Sequence, residues 1–434
     1  MKPNIIFYFS DQQRWDTLNR DIMPNVYQLG EEGIMFDSSF TCQPVCGPAR
    51  ACLQTGQYAT QCGCYRNAIP LPENTKTMAD YFDENGYDTA YIGKWHLASG
   101  KGNHYEKVAV PVEKQGGYKY WRGADVLEFT SHGYDGYVFD EKGNRIDFKG
   151  YRADCINDFA IEYVNNHRSD KPFFMFVSQL EPHHQNDAGH FQGPTDTVEG
   201  YRDYPIPEDL TFLRGNYSEE YADYIAAVNS LDKNVGRLIA ALKEKGIYDN
   251  TVIIYTSDHG CHFKTRNGEY KRSCHDSSIR TPLVFGGGAV KRSEKKECLA
   301  SLIDLPPTIL KLAGIEVPDS YSGKILPVNE NQQAERDCVF IQISESHVGR
   351  AVRTKEWKYS ARAIGSGWFK EGAVHYFDDY LYDLKNDPSE KNNLVKDDSC
   401  KEILAQMRAL LAREMVNAGE QKPIFHRAFK LRKY

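Results

Sequence analysis

The chain has 434 residues, of which 41% are hydrophobic and 26% charged, with 53 basic and 60 acidic side chains for a formal net charge of -7. That length exceeds the usual size of one core, so a large domain and a smaller one are expected. No long basic run precedes Lys430, Arg432 and Lys433, which argues against nucleic acid as the main partner, and no apolar stretch is long enough to span a membrane.

Met1-Lys2-Pro3-Asn4 leads into a short apolar run at residues 5–9. The run is too brief for a signal-peptide core and no small-residue cleavage site follows. A cytoplasmic protein is expected, or a periplasmic or secreted one whose leader has been removed. Residues 4–10, 89–92, 173–177, 252–256 and 283–285 are brief, apolar and bounded by polar, Gly or Pro residues, and they predict buried strands. Helices are predicted at 77–85, stopped by Gly86, at 153–166, and at 218–245, with Ser218 as cap, Glu219 and Glu220 in the first turn and Gly246 at the end. Alternating strand and helix implies an α/β fold with a mainly parallel central sheet between helices. Residues 97–150 and 184–216 show little periodicity and read as long loops, where substrate selectivity is expected. Beyond about residue 330 short strands at 338–343, 351–354, 358–361 and 380–384 precede a closing helix at 403–418. This predicts a catalytic domain over 1–335 and a small C-terminal α+β domain with an antiparallel sheet over 336–434.

Ligands of such sheets bind beyond the carboxyl ends of the strands. The first strand ends in Ser10-Asp11-Gln12 and the fourth in Ser257-Asp258-His259-Gly260. Two strand-end carboxylates, flanked by the amide oxygen of Gln12 and by His259, can share one hard cation. Taken singly, either acid is better explained as a turn cap; the pair favours metal. The second strand runs into Gly93-Lys94-Trp95-His96, where Lys94 and His96 would share a face in extended chain. The third leads to His183, and Lys271 follows Asp258 after a short loop.

Eleven cysteines, an odd and scattered set, favour a reducing compartment. Five of them, Cys42, Cys46, Cys52, Cys62 and Cys64, cluster with the spacing C-x3-C-x5-C-x9-C-x-C, which fits no common zinc pattern. In Cys46-Gly47-Pro48-Ala49-Arg50, Pro48 suits the first position of a helix that Gly56 can stop. Cys46 would then sit at the positive end of that helix, with Arg50 one turn on. A bare thiol there could be a nucleophile of lowered pKa, but the surrounding acids, lysines and histidines fit an anion-binding metal site.

At this point the residues resemble a family. Cys46-Gly47-Pro48-Ala49-Arg50, followed by Leu53-Gln54-Thr55-Gly56, is similar to the signature of the type I sulfatases. So are Gly93-Lys94-Trp95-His96-Leu97, Ser257-Asp258-His259-Gly260, and Lys271 with Asp276 and Arg280-Thr281-Pro282-Leu283. Leu381-Tyr382-Asp383-Leu384 with Asp387-Pro388-Ser389-Glu390 resembles the family's small-domain motif. The match runs over nearly the whole chain.

The resemblance implies an alkaline-phosphatase-like fold and a formylglycine made from Cys46 by a maturation enzyme. One hydroxyl of its hydrate attacks sulfur and the other later expels sulfate. It implies a divalent cation, Ca²⁺ first and Mg²⁺ or Mn²⁺ as alternatives, on Asp11, Gln12, Asp258, His259 and the modified Cys46. Gln12 stands where many members have a second aspartate, which removes one negative charge. Arg50 and Lys94 would hold the hydrate, His96 would act as the base that releases sulfate, and His183 and Lys271 would contact sulfate and the leaving oxygen. Of these two, His183 would be the better acid, since its normal pKa is nearer neutrality. Asn67 is a further candidate for contact with the substrate. The expected substrate is a sulfated sugar or an aryl sulfate. A phosphonate monoester or phosphodiester hydrolase of the same superfamily is the alternative, and a non-catalytic anion-binding or zinc-stabilised protein is the rival of another class.

Overall fold

The computed structural model describes residues 2–328 and 336–428. The expected boundary at 335 and the basic residues Lys430, Arg432 and Lys433 lie outside them.

The larger sheet has ten strands. In chain order these are β1 (Asn4–Ser10), β2 (Ile34–Phe40), β3 (Asp88–Lys94), β4 (Tyr120–Ala124), β5 (Asp135–Asp140), β6 (Arg145–Lys149), β7 (Phe173–Ser178), β8 (Thr251–Ser257), β9 (Leu283–Gly286) and β10 (Glu294–Ser301). Their spatial order is β10-β2-β9-β8-β1-β7-β3-β4-β5-β6. The centre, β8-β1-β7-β3-β4, is parallel throughout, while β9, β5 and β6 run antiparallel to their neighbours. The second sheet holds β11 (Val339–Ile343), β12 (Gly349–Arg353), β13 (Trp357–Arg362), β14 (His375–Asp383) and β15 (Ile424–His426) in that order. Its first three pairings are antiparallel and β15 joins β14 in parallel.

Strand β1 shows why the centre is fixed. Every residue from Asn4 to Ser10 is buried. Ile5, Phe7 and Phe9 face one core and Ile6 and Tyr8 the other, the alternation that a strand covered on both faces requires. The first core includes the helices Cys46–Thr55 and Met78–Glu84, and also Phe340, Val352 and Tyr359 of the second sheet. The opposite face packs on Pro24–Glu32, Arg152–Asn166 and the 28-residue helix Tyr217–Glu244. Among the described residues no helix is long and apolar enough to cross a membrane.

Several local expectations need correction. The long helix starts at Tyr217, and its N-cap Asn216 makes no side-chain cap bond, so Ser218 lies inside the first turn. Pro48 is the third helical residue, because Cys46 itself already has helical geometry after the extended Val45. Residues 97–150 are not loop alone; they also supply β4, β5 and β6, which extend the sheet edge. Strands β2 and β10 and the helix Leu305–Leu312 were not expected. The charged start of β10, Glu294 to Lys296, hides the strand pattern at the sheet edge.

Candidate active site

Four adjacent parallel strands, β8, β1, β7 and β3, end on the same side of the sheet and deliver Asp258, Asp11, the segment to His183, and Lys94. The close fit between β3 and β7 depends on Gly93. Its φ is +105°, and a Cβ there would stand 1.9 Å from the Ser178 carbonyl oxygen, so only glycine is accommodated. Across this contact the Lys94 carbonyl accepts from Ser178 Oγ at 2.7 Å and from Arg50 Nη1 at 2.9 Å.

The helix Cys46–Thr55 points its first residue into this edge, and the left-handed Gly56 closes it with an N–H bond to Cys52 O. Cys46 Sγ accepts from Lys271 Nζ at 2.8 Å and stands 3.3 Å from both Asp11 Oδ1 and His259 Nε2. Burial raises the thiol's pKa, but Lys271, Lys94 and His259 outweigh it and hold the group well below its ordinary value. Arg50 Nη2 donates to Asp11 Oδ2 at 3.0 Å and its Nη1 to Ser178 Oγ at 2.5 Å, so it clamps Asp11 and the strand ends. Lys94 Nζ bridges Asp11 Oδ2 and Glu128 Oε1, each at 2.9 Å.

One donor atom from each of Asp11, Cys46, Asp258 and His259 lies within 4.8 Å of the others, and all four residues are buried. This is the one such group of three or more His, Cys, Asp and Glu donors among the described residues. Cys42, Cys52, Cys62 and Cys64 form none, so the zinc reading has no geometric support. The donor set suits a hard cation. Burial and the charge of Asp11 push Asp258 up to about 7, and its Oδ2 is buried without a hydrogen-bond partner. Two carboxylates kept so close in a dry site need a positive charge between them to ionise together. His259 Nδ1 donates to the Gly260 carbonyl at 2.9 Å, leaving Nε2 free to ligate. Gln12 lines the cleft, but its amide nitrogen is directed at Cys261 Sγ, 3.7 Å away, and its backbone N–H holds Asp258 Oδ1 at 2.9 Å.

The cleft above these groups is about 350 Å³, and Cys46, Asn67, His96, His183 and Lys271 reach it. A larger cleft of about 770 Å³, between residues 71–77 and 112–119, carries none of them. His96 arrives by a route the sequence did not show. β3 ends at Lys94 and His96 has a φ of +63°, so a turn rather than strand alternation presents it. Asp125 builds that turn: its carbonyl accepts from His96 N at 2.6 Å and its carboxylate from the N–H groups of Leu97, Ala98 and Ser99 at 2.8–2.9 Å. His183 Nδ1 donates to the His184 carbonyl at 2.7 Å, and Nε2 faces Lys271 Nζ at 3.2 Å. Burial and Lys271 lower the His183 pKa, so in the resting state the proton at this junction sits on Lys271. Asn67 Oδ1 accepts from Gly47 N at 2.9 Å.

Asp125, Glu128 and Glu345 are the acids that sequence reasoning missed. Glu345 takes Asn67 N at 2.8 Å and Arg272 Nη2 at 2.5 Å. Glu128 sits on a four-residue helix, Leu127–Thr130, and its pairing with Lys94 outweighs burial and lowers it to about 2. No motif marks any of the three.

A family model described as Sulfatase matches residues 3–315, more than half of the chain. The chain belongs to the sulfatase family. A second model, described as N-sulphoglucosamine sulphohydrolase, C-terminal, matches residues 268–417. Among curated relatives, an ulvan-active sulfatase of Formosa agariphila is 28% identical over 100% of this chain and 84% of its own length. The sulfatase YidJ of Escherichia coli K12 is 31% identical over 94% and 86%. Of the solved structures, one bound to its substrate D-glucosamine-2-N,6-O-disulfate superposes with a TM-score of 0.79 at 25% identity, covering 98% of this chain and 99% of that one. A phosphonate monoester hydrolase of Silicibacter pomeroyi has a TM-score of 0.70 at 20% identity over 96% of each chain, which shows the shared alkaline-phosphatase-like fold alone. As a sulfatase the protein is a sulfuric ester hydrolase.

Proposed function

We infer that this sulfatase hydrolyses a sulfate ester carried on a carbohydrate, through a formylglycine hydrate derived from Cys46 and a divalent cation, Ca²⁺ in the first place. The observation that carries the reading is the convergence of Asp11, Cys46, Asp258 and His259 beneath a cleft lined by Lys271, His183 and His96. The carbohydrate rests on relatives, among them the ulvan-active sulfatase and an N-acetylglucosamine-6-O-sulfatase of Bacteroides thetaiotaomicron that is 27% identical over 91% of this chain.

Asp11, Asp258, His259 and residue 46 would hold the cation, with Gln12 as an added oxygen donor. When bound, the cation lowers the pKa of the hydrated aldehyde and offsets the charge of the sulfate oxygens, while the hydrate supplies one hydroxyl to attack sulfur and a second to expel sulfate. The protein's own groups do the rest. Arg50 and Lys94 lock Asp11 in place from two sides, so a ligand carboxylate does not reorganise during turnover. Lys271 holds a proton within reach of residue 46 and of the leaving oxygen, and His183 Nε2 can accept and return it. His96, aimed into the cleft by the Asp125 turn, is the base that takes the remaining hydroxyl proton. We take residues 1–335 as the catalytic unit and 336–434 as the smaller one.

Peptide mass spectrometry across Cys46, on protein made together with a formylglycine-generating enzyme, tests the nucleophile. The expected result is an aldehyde in place of the thiol, with activity tracking its fraction. An unmodified thiol in fully active protein defeats the reading, as does full activity in Cys46→Ala. Aryl sulfate should turn over faster than aryl phosphonate; the opposite order assigns the protein to the phosphonate hydrolases.

A further inference from the structure

The cleft at Cys46 is near the lower end of small-molecule sites, which run to about 300–1,000 Å³. Beside Arg66 and Asn67 at its wall stands a partly exposed indole, Trp368. The loop between β13 and β14 exposes three large apolar side chains, Ile364 at 76%, Trp368 at 38% and Phe369 at 78%, whereas Trp95 and Trp121 are wholly buried. Clustered exposed apolar groups of this size mark contact sites.

The indole has a built position. The guanidinium of Arg66 lies over its ring, 4.8 Å from the centroid. Arg66 Nη1 donates to the carbonyl of Asn67, the next residue, whose side chain lines the cleft. Arg66 Nε is buried and has no hydrogen-bond partner. The loop is anchored from beneath. Gly367 O accepts from Glu345 N at 3.0 Å, and the Glu345 carboxylate holds Asn67 N and Arg272 Nη2. A Cβ at Gly367 would stand 2.5 Å from the backbone of His347, so the approach requires glycine. Glu345 therefore fixes the cleft wall through its carboxylate and the aromatic platform through its backbone N–H.

We propose that Trp368 and Arg66 form a subsite for a second sugar ring, the one next to the sulfated unit, so that the preferred substrate is a sulfated oligosaccharide rather than a single sulfated sugar. Indole faces pack on the C–H face of a pyranose, and an arginine beside them adds donors for ring hydroxyl, carboxylate or sulfate oxygens. The inference rests on the carbohydrate sulfatase reading above and extends it outward from the scissile ester.

The test compares matured wild type with Trp368→Ala, Trp368→Tyr and Arg66→Ala, each first checked for an unchanged thermal midpoint. Substrates are 4-nitrophenyl sulfate and size-defined oligosaccharides of two to six units from ulvan, carrageenan, chondroitin sulfate and heparan sulfate. On the best oligosaccharide, Trp368→Ala should reduce kcat/KM relative to that on 4-nitrophenyl sulfate by at least about tenfold, mostly through KM, and Trp368→Tyr should restore most of it. Should Trp368→Ala unfold, Trp368→Tyr and Arg66→Ala carry the same comparison. An unchanged ratio overturns the subsite, and so does a wild type that hydrolyses the aryl sulfate but none of the oligosaccharides. A wild type with no sulfatase activity on any substrate removes the underlying reading, and the subsite with it.

Discussion

Lys271 Nζ stands 2.8 Å from Cys46 Sγ and 3.2 Å from His183 Nε2, so one ammonium links the reacting residue to a neutral histidine. Both residues are anchored through carbonyls: His183 Nδ1 donates to the His184 carbonyl, and the Lys271 carbonyl accepts from His262 Nε2 at 3.0 Å.

Lys271→Ala is expected to lower kcat by about 10²–10⁴-fold, the range for losing a positioned proton donor, with a smaller change in KM. Steady-state kinetics of matured protein on 4-nitrophenyl sulfate measures it. His183→Ala should lose less, since the proton rests on Lys271. A larger loss in His183→Ala would return the acid role to the histidine.

The carboxylate pair predicts cation-dependent stability. Dialysis against a chelator should lower the thermal midpoint, and added Ca²⁺ should restore it, worth about 2.7 kcal/mol at a hundredfold excess over Kd. Asp258→Asn should blunt that response even though it relieves the like-charge contact with Asp11. A midpoint in wild type that ignores chelator and Ca²⁺ alike would count against a cation at these four residues.

Lys358 is fully buried between Asp276 and Glu390, with Glu390 Oε1 at 2.6 Å, and Asp276 lies five residues beyond Lys271. Lys358→Met would leave two carboxylates buried around an uncharged chain, at a cost of about 3–5 kcal/mol. Urea unfolding should show that loss. The double variant Lys358→Met, Glu390→Gln should recover part of it.

Burial pushes His262 down to about 3. In the unfolded chain it titrates near its ordinary value of 6.5, so below that pH the unfolded state takes up a proton that the folded state refuses. The contribution of this group to stability is complete above pH 6.5 and is lost as pH falls from 6.5 toward 3, at most about 1.4 kcal/mol per unit. Urea midpoints at pH 7, 6 and 5 should fall less steeply in His262→Gln than in wild type. Equal slopes would mean that His262 is protonated in the fold without strain.

The parts of the site that could be read from sequence are those whose position follows from strand geometry. Asp11 and Asp258 end fully buried strands, and such strands are visible as apolar runs. Cys46 and Arg50 fall on a short helix closed by Gly56, which is local chemistry. Glu128, Asp125 and Glu345 were invisible because each acts from an irregular segment on a partner distant in sequence, as Glu345 does on Asn67. The strands β5 and β6 were hidden for a related reason: edge strands alternate exposed and half-buried residues and carry charge, as in Arg145–Lys149. The lowered His183 pKa also depended on placement, since burial and the 3.2 Å contact with Lys271 set it below its ordinary value.

Once the chain is folded, Cys46 is only 2% exposed. A second protein's active site cannot enclose a side chain at that depth, so the oxidation inferred for it has to be finished while the segment is still open. Lys271 Nζ covers the sulfur at 2.8 Å, and that lysine lies 225 residues later in the chain. At about 5–20 residues per second of synthesis, the interval between Cys46 and Lys271 is on the order of 10–45 s. The order of residues along the polypeptide thus leaves the cysteine uncovered by Lys271 for that interval of synthesis.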